Sequence, residues 1–127
     1  MICCFKSGCF VNPYLLVGIG GFIGSVLRFG ASELFGTPQA TFVVNAAGSL
    51  LLGILMAALV NELITQETAL LFGTGILGAF TTMSTFSVET VELWADNEFN
   101  AIGYVLLTMI VCPALAFAGW RIGEIIS

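Results

Sequence analysis

Four long apolar segments, separated by short polar turns, account for most of the chain. Each is at least as long as the roughly 20 residues that a helix needs to cross the hydrocarbon core of a bilayer. The segments cover residues 13–34, 41–60, 69–93 and 101–122. Turn-forming or charged residues follow the first three segments, at Gly36-Thr37-Pro38, Asn61-Glu62 and Asp96-Asn97-Glu98. The pattern predicts an all-α membrane protein, a single four-helix membrane domain over residues 1–127 in which residues 1–12 form an N-terminal tail.

The composition excludes a water-soluble globular domain. Of the 127 residues, 58% are hydrophobic and 9% are charged, against about 45–50% apolar and 25% charged in a soluble domain. Lys6 ahead of the first apolar segment also fits a cleaved signal peptide, but the further spans and the lack of a clear A-x-A site favour a retained helix. We therefore expect a multi-pass protein of the cell (plasma or inner) membrane, with the lipid bilayer as a partner.

Charge and residue types argue against two further classes of function. Three Lys plus Arg against eight Asp plus Glu give a net charge of -5 without a basic cluster, so no nucleic-acid partner is expected. The chain has no His and no GxSxG, HExxH, P-loop or paired CxxC pattern, so an enzyme is not expected. Cys3, Cys4 and Cys9 in the tail match no metal-site spacing and indicate either reduced thiols or palmitoylation sites.

The charges give only a weak signal for orientation in the membrane. Four spans place both termini on one side, where Lys6 and Arg121 lie, and the loops on the other side contain no Lys or Arg. Because loop Lys and Arg residues set the orientation of a membrane protein, a chain with so few of them can insert either way.

The third segment combines glycines with hydroxyl side chains. Gly73, Gly75 and Gly78 lead into residues 81–87, of which five of seven carry a hydroxyl. Irregular backbone at membrane depth is tolerated only where protein or water covers it. We therefore predict that this helix is broken near the bilayer centre and faces a pore or a subunit interface, where free carbonyls suit a cation and free N–H groups suit an anion. The alternative is a kinked packing helix whose hydroxyls bond to their own backbone.

Two other spans carry polar side chains at helical spacing. Asn45 is an amide in an apolar span, so it is either a pore-lining donor or an interhelical hydrogen-bonding residue. Thr41, one turn earlier, extends the same face. In the fourth span Tyr104, Thr108 and Cys112 recur at intervals of four and place two hydroxyls and a thiol on one helix face. The sequence therefore predicts polar tracks on two helices.

Two charged residues fall near membrane depth. Arg28 lies toward the end of the first segment and Glu89 toward the end of the third. An unpaired charge there is costly, so we expect a structural role in which they pair with each other or reach the interface. The alternative for Arg28 is that it attracts anions at a vestibule.

The third segment carries a specific resemblance. Residues 75–89 read GILGAFTTMSTFSVE, which resembles the third-helix signature of the Fluc (CrcB) fluoride channels, GxxGGxTTFSTFSxE, with departures at Ala79 and Met83. The resemblance extends to the first helix through Gly20, Gly21, Gly24 and Arg28, and to the second through Thr41, Asn45 and Gly48.

The resemblance implies an antiparallel, dual-topology homodimer with two fluoride pores and a structural sodium ion at its centre. The residues that match the sodium site are Gly78 and Thr81, through their backbone carbonyls. The residues that match or adjoin the fluoride path are Asn45, Met83, Phe86, Tyr104, Thr108 and Cys112, with Thr41, Ser84 and Thr85. Met83 stands where the family has a phenylalanine, and Cys112 stands where a serine is common.

The function that the resemblance implies is passive, selective export of fluoride from the cytoplasm. An alternative is a small multidrug-resistance-type exporter coupled to protons, which requires a carboxylate deep in a span; Glu33 lies only at the end of the first span, and the second has none inside it. A non-conducting membrane scaffold explains the small residues spaced four apart, but it does not explain the hydroxyl-rich third segment.

Overall fold

The computed structural model describes residues 11–126, and every regular element among them is a helix. Lys6, Cys3, Cys4 and Cys9, on which the tail and orientation predictions depend, lie outside the described residues. The helices are α1 (Pro13–Phe35), α2 (Gln39–Val60), α3 (residues 66–80), α4 (Met83–Asp96) and α5 (Glu98–Ile126).

Four stretches of the described chain are long and apolar enough to cross a membrane. They are α1, α2, α5 and the stretch Gln66–Asp96, which contains both α3 and α4. The prediction of an all-α chain with four membrane-length spans is therefore confirmed. The last two spans are longer than their apolar patterns because the helices continue into polar ends, from Gln66 in the third span and from Glu98 in the fourth.

Short polar side chains fix where the helices begin. The side chain of Asn12 accepts a hydrogen bond from the Tyr14 amide at 3.0 Å, with Pro13 at the first helical position. The side chain of Asn97 accepts one from the Phe99 amide at 2.9 Å at the start of α5. These oxygens satisfy first-turn N–H groups that have no partner within the helix. Helix α1 ends at Gly36, whose φ of 70° is costly for other residues.

The third span changes its geometry along its length. It is α-helical at Gln66–Ala69, wider and π-helical at Leu70–Leu77, and α-helical again at Gly78–Phe80. Thr81 (φ -75°, ψ 155°) and Thr82 (φ -149°, ψ 118°) then have extended backbone, and α4 begins at Met83. Two residues between α3 and α4 therefore lie outside helical geometry.

Helices α2 and α5 lie side by side and run in the same direction. A Cβ atom at Gly53 of α2 would collide with the backbone of Ala116 in α5, and one at Gly119 of α5 would collide with the Leu50 carbonyl in α2. Contacts between these two helices are the most extensive in the fold, followed by those between α1 and α3. Small residues permit this close backbone approach. In lipid the hydrophobic effect does not drive helices together, so van der Waals contacts of this kind stabilise their packing.

The described chain buries few large apolar side chains. Its buried hydrophobic residues are Ala40, Val44, Ala57, Ala69, Phe86 and Ala101. Large side chains on its outer surface are exposed instead, including Phe22 at 73% and Phe117 at 69%. An outer surface of this kind suits lipid or another subunit rather than water.

Close packing of α1 against α3 leads to a prediction about stability. A Cβ atom at Gly20 would lie 2.9 Å from the Gly75 Cα, whereas one at Gly18 would have no neighbour within 4 Å. We expect Gly20→Ala to lower the free energy of unfolding by about 1–3 kcal/mol, because the two backbones must separate. Gly18→Ala, in the same helix, is the matched control and should not destabilise the protein. Thermal unfolding in detergent checks this, and equal melting temperatures for the two variants would contradict it.

Candidate functional site

A buried carboxyl group connects three helices. Glu89 of α4 is only 5% exposed. Its Oε1 accepts a hydrogen bond from the Thr41 hydroxyl of α2 at 2.7 Å, and its Oε2 accepts one from the Tyr104 hydroxyl of α5 at 2.7 Å. Each carboxyl oxygen thus has a donor, which offsets the cost of burying a polar group at this depth. Thr41 and Tyr104, expected on separate polar tracks, meet at one group.

The Asn45 side chain pairs with the extended backbone of Thr82. Its Nδ2 donates a hydrogen bond to the Thr82 carbonyl at 3.0 Å, and its Oδ1 accepts one from the Thr82 amide at 2.7 Å. One side-chain amide therefore satisfies both backbone groups of a residue that has left the helix. The interhelical hydrogen bond, one of the two alternatives for Asn45, is present. Its lining of a pore stays a prediction.

The hydroxyl-rich stretch uses its hydroxyls in two ways. Those of Thr81 and Ser87 bond to carbonyls one turn earlier in their own helices, at 3.0 and 2.9 Å. The hydroxyl of Thr82 instead accepts a hydrogen bond from the Thr85 amide at 3.2 Å and lies 3.0 Å from the Thr85 hydroxyl and 3.3 Å from that of Ser84. Thr82 therefore caps α4 with its side chain while Asn45 holds its backbone.

These bonds leave two backbone carbonyls without their regular helical donors. In an unbroken helix the Thr82 amide would bond to the Gly78 carbonyl, and the Thr85 amide would bond to the Thr81 carbonyl. Here the Thr82 amide bonds to Asn45 and the Thr85 amide bonds to the Thr82 hydroxyl. Gly78 is also exposed, and Thr81 is half-buried. The carbonyl oxygens of these two residues, predicted from the resemblance to hold sodium, fit that kind of ligand because a hard cation prefers oxygen.

The two residues at the phenylalanine positions of the resemblance have different surroundings. Phe86 is 4% exposed, and its ring centroid lies 5.1 Å from that of Tyr104 at an angle of 45°. Met83 is 61% exposed. Within the described chain, Phe86 therefore belongs to the buried polar region and Met83 lies on the outer surface.

The remaining track residues lie further along α5. Thr108 is 5% exposed, and its buried hydroxyl oxygen has no hydrogen-bond partner among residues 11–126. Cys112 is half-buried with a free thiol. A buried hydroxyl without a partner is costly, so Thr108 marks a place where a polar ligand would be stabilised.

The two charged residues do not pair with each other. Among residues 11–126, the ion pair that the structure contains is Arg121 with Glu124, at 3.1 Å. Arg28 lies half-buried on α1, away from Glu89, whose carboxyl oxygens bond to hydroxyls. The sequence offered no signal for these hydroxyl partners, because Thr41 and Tyr104 come from two other segments of the chain.

An acidic cavity of about 190 Å³ adjoins Glu89. Glu92, Asp96 and the loop residues Thr37 and Pro38 also line it. Within the described part of the chain, no group of three His, Cys, Asp or Glu side chains is arranged to hold a metal ion. The cavity therefore marks an acidic end of the polar region.

Thr82 is a residue of the site that the sequence analysis did not single out. Its position was included only in the count of hydroxyls between residues 81 and 87. A Thr that precedes a helix by one position is a common N-cap. The capping role of Thr82 could therefore have been predicted from the sequence, given a helix that begins at Met83. The pairing of Thr82 with Asn45 could not have been predicted from the sequence, because it joins residues 37 positions apart.

Together these features define a class of protein. Among four membrane-length stretches, the chain places buried and half-buried amide, hydroxyl and carboxyl groups where α2, α4 and α5 meet. Buried polar groups inside a membrane bundle are typical of proteins that move ions or solutes across the bilayer.

Comparisons with known proteins identify the family. Residues 15–120 match the family model described as "CrcB-like protein, Camphor Resistance (CrcB)". A relative from Oceanobacillus iheyensis is 42% identical over 114 residues, and the match covers 85% of this chain and 88% of the relative. A relative from Thermotoga petrophila is 36% identical over 119 residues, and the match covers 87% of this chain and 94% of the relative. A third relative, from Thermus thermophilus, is 38% identical over 120 residues, and the match covers 89% of this chain and 96% of the relative. All three are named "Fluoride-specific ion channel FluC".

The chain belongs to the CrcB family. The resemblance stated from residues 75–89 is thereby confirmed. The names of these relatives describe ion channels, in agreement with the expectation that this protein is not an enzyme.

The pairing of Asn45 with Thr82 gives a second prediction. Asn45→Ala leaves the Thr82 amide and carbonyl without partners, and each unsatisfied buried group costs about 1–3 kcal/mol. We expect a lower melting temperature and faster hydrogen exchange at the Thr82 and Thr85 amides. Asn100→Ala, which changes an exposed asparagine in the first turn of α5, is the control. Unchanged exchange at Thr82 in the Asn45 variant would show that this pairing does not hold the backbone.

Proposed function

We propose that this protein is a fluoride-selective ion channel that passively exports fluoride from the cytoplasm across the cell membrane, plasma or inner. The observation that carries the proposal is a buried region rich in hydroxyl and amide groups, without a Lys or Arg side chain among its described contacts, in a chain whose relatives are named fluoride-specific channels. Fluoride would pass between α2, α4 and α5, where these groups lie.

The chemistry of the region suits a small anion. Fluoride holds its water strongly, so a selective path must offer several close hydrogen-bond donors in place of that water. Hydroxyls such as that of Thr108 can donate to an anion without holding it as strongly as a fixed positive charge would. The edge of an aromatic ring carries partial positive charge, so the buried ring of Phe86 can face an anion too. Weak but numerous donors permit both entry and release.

The break between α3 and α4 is proposed to lie near the bilayer centre. Thr81 is the middle residue of the stretch Gln66–Asp96, with 15 residues on either side. Extended backbone there needs cover from protein or water. A second copy of the chain, inserted antiparallel, would supply that cover at the exposed residues Gly78 and Met83. The weak orientation signal of the sequence supports such a dual-topology homodimer, which would contain two pores.

A structural sodium ion is proposed at the centre of this dimer. The carbonyls of Gly78 and Thr81 have lost their regular helical donors, as described above. Two copies of the chain would supply four such oxygens. A sodium ion would neutralise the partial negative charge that gathers where these carbonyls meet.

One observation keeps the proton-coupled exporter as a second candidate. That class needs a carboxylate inside the membrane, and Glu89 is a buried carboxyl group in the third span. Both of its oxygens accept hydrogen bonds from neighbouring helices, so a cationic substrate would have to displace Thr41 or Tyr104. This cost makes the exporter the weaker candidate.

The third prediction tests the proposed function directly. We expect liposomes containing the purified protein to release fluoride rapidly and to retain chloride and a cationic drug. Asn45→Asp should abolish fluoride release, because it places a carboxylate among the donors and removes the amide hydrogen bond to Thr82. Asn100→Asp is the matched control and should conduct normally. Drug release driven by a proton gradient would support the exporter, and no release of any solute would support the scaffold.

The fourth prediction concerns Met83. Its side chain is 61% exposed within the chain and makes no described hydrogen bond, so a larger aromatic side chain meets no obstacle from its own copy of the chain. We expect Met83→Phe to retain fluoride release within about 3-fold of the original chain, because a thioether and a ring both provide polarizable bulk. Flux from liposomes measures this, and loss of release would mean that the surroundings of residue 83 are adapted to methionine.

A further inference from the structure

Two rows of side chains face each other between α2 and α5. In each row the residues are four apart: Thr41, Asn45, Ser49 and Gly53 on α2, and Tyr104, Thr108, Cys112 and Ala116 on α5. Residues spaced four apart lie on one face of a helix, and the two helices run in the same direction. Each residue of the first row therefore has its counterpart 63 positions later in the second.

Contacts fix this register at three levels. Thr41 and Tyr104 bond to the same carboxyl group of Glu89. The hydroxyl of Ser49 lies near the thiol of Cys112. Gly53 lies directly against the backbone of Ala116. Asn45 and Thr108 occupy the level between the first two contacts, so the rows stay in register from one end to the other.

The hydroxyl of Ser49 is used differently from other hydroxyls within the helices. Ser25, Ser32, Ser87 and Thr90 each donate to the carbonyl four residues earlier, at 2.8 to 3.1 Å. Among residues 11–126, Ser49 makes no such bond to its own helix, and the thiol of Cys112 lies near its hydroxyl. Because a thiol is a weak hydrogen-bonding group, it does not compete strongly for the Ser49 hydroxyl, which stays available to a better acceptor.

The neighbouring level contains the buried hydroxyl without a partner. Thr108 lies one turn before Cys112 on the same face of α5, and its side-chain oxygen is buried without a hydrogen bond inside the described chain. On its other side, Ser49 borders an open, mostly apolar groove of about 500 Å³ that Gly53, Ala116 and Trp120 also line. Ser49 therefore lies between a buried polar atom that needs a partner and an open space between the helices.

We propose that Ser49 is a further fluoride-binding residue, which donates its hydroxyl to the anion at the level of Cys112, between Thr108 and the groove. The inference rests on the proposed function. At this level α5 offers only a thiol, the weaker donor, so the hydroxyl from α2 supplies the strong hydrogen bond that a dehydrated fluoride ion needs. The two helices would thus share the donors along the path.

The fifth prediction compares two serine variants. We expect Ser49→Ala to reduce fluoride release from liposomes about 10- to 100-fold, the effect of losing one hydrogen bond to a charged ligand. Ser32→Ala is the matched control, since its hydroxyl bonds to the Arg28 carbonyl at 3.1 Å; we expect it to conduct normally. Both variants should have the melting temperature of the original chain and should exclude chloride.

A rescue separates donation from packing. Cys112→Ser restores a hydroxyl at the same level, so the double variant Ser49→Ala with Cys112→Ser should recover most of the lost fluoride release. Normal release by Ser49→Ala alone, or reduced release that Cys112→Ser does not restore, would overturn this inference and leave the channel proposal standing. Absence of fluoride release from the original chain would overturn both.

Discussion

The pairing between the Asn45 side chain and the backbone of Thr82 is the interaction on which the rest of this structure depends. Thr81 and Thr82 have extended backbone within a stretch long and apolar enough to cross a membrane, and lipid would offer no hydrogen bonds to their backbone groups. One asparagine supplies both a donor and an acceptor to Thr82, at 3.0 and 2.7 Å. Because the side chain belongs to α2, the break can exist only where α2 lies beside it. The position of α2 and the shape of the third span are thus set together.

The same neighbourhood brings the polar groups of three helices into one region. Glu89 joins α4 to both α2 and α5 through hydroxyls, and the register between α2 and α5 continues past it. Apolar packing contributes little to this specificity, since most of the buried hydrophobic residues are alanines and many large apolar side chains face outward. Hydrogen bonds therefore determine which faces meet, and glycines determine how closely the helices approach.

The sequence predicted the spans well because hydropathy and span length are local properties of each segment. It also brought attention to Asn45, Glu89 and the face that carries Tyr104, since polar residues stand out in an apolar span. It did not reveal which of them bond to each other. Glu89 was expected to pair with Arg28 or to reach the interface, but its partners are hydroxyls, because the packing of α2 and α5 brings these closer.

Chain order has a consequence for how this protein is made. Helix α1 meets its main partner when α3 follows it into the membrane, whereas α2 packs chiefly against α5, the last helix of the chain. Until the ribosome has completed α5, Gly53 of α2 has no counterpart, and Asn45 has none before Thr82 is synthesised. Helix α2 is therefore the helix that waits longest between its own synthesis and that of its main partner.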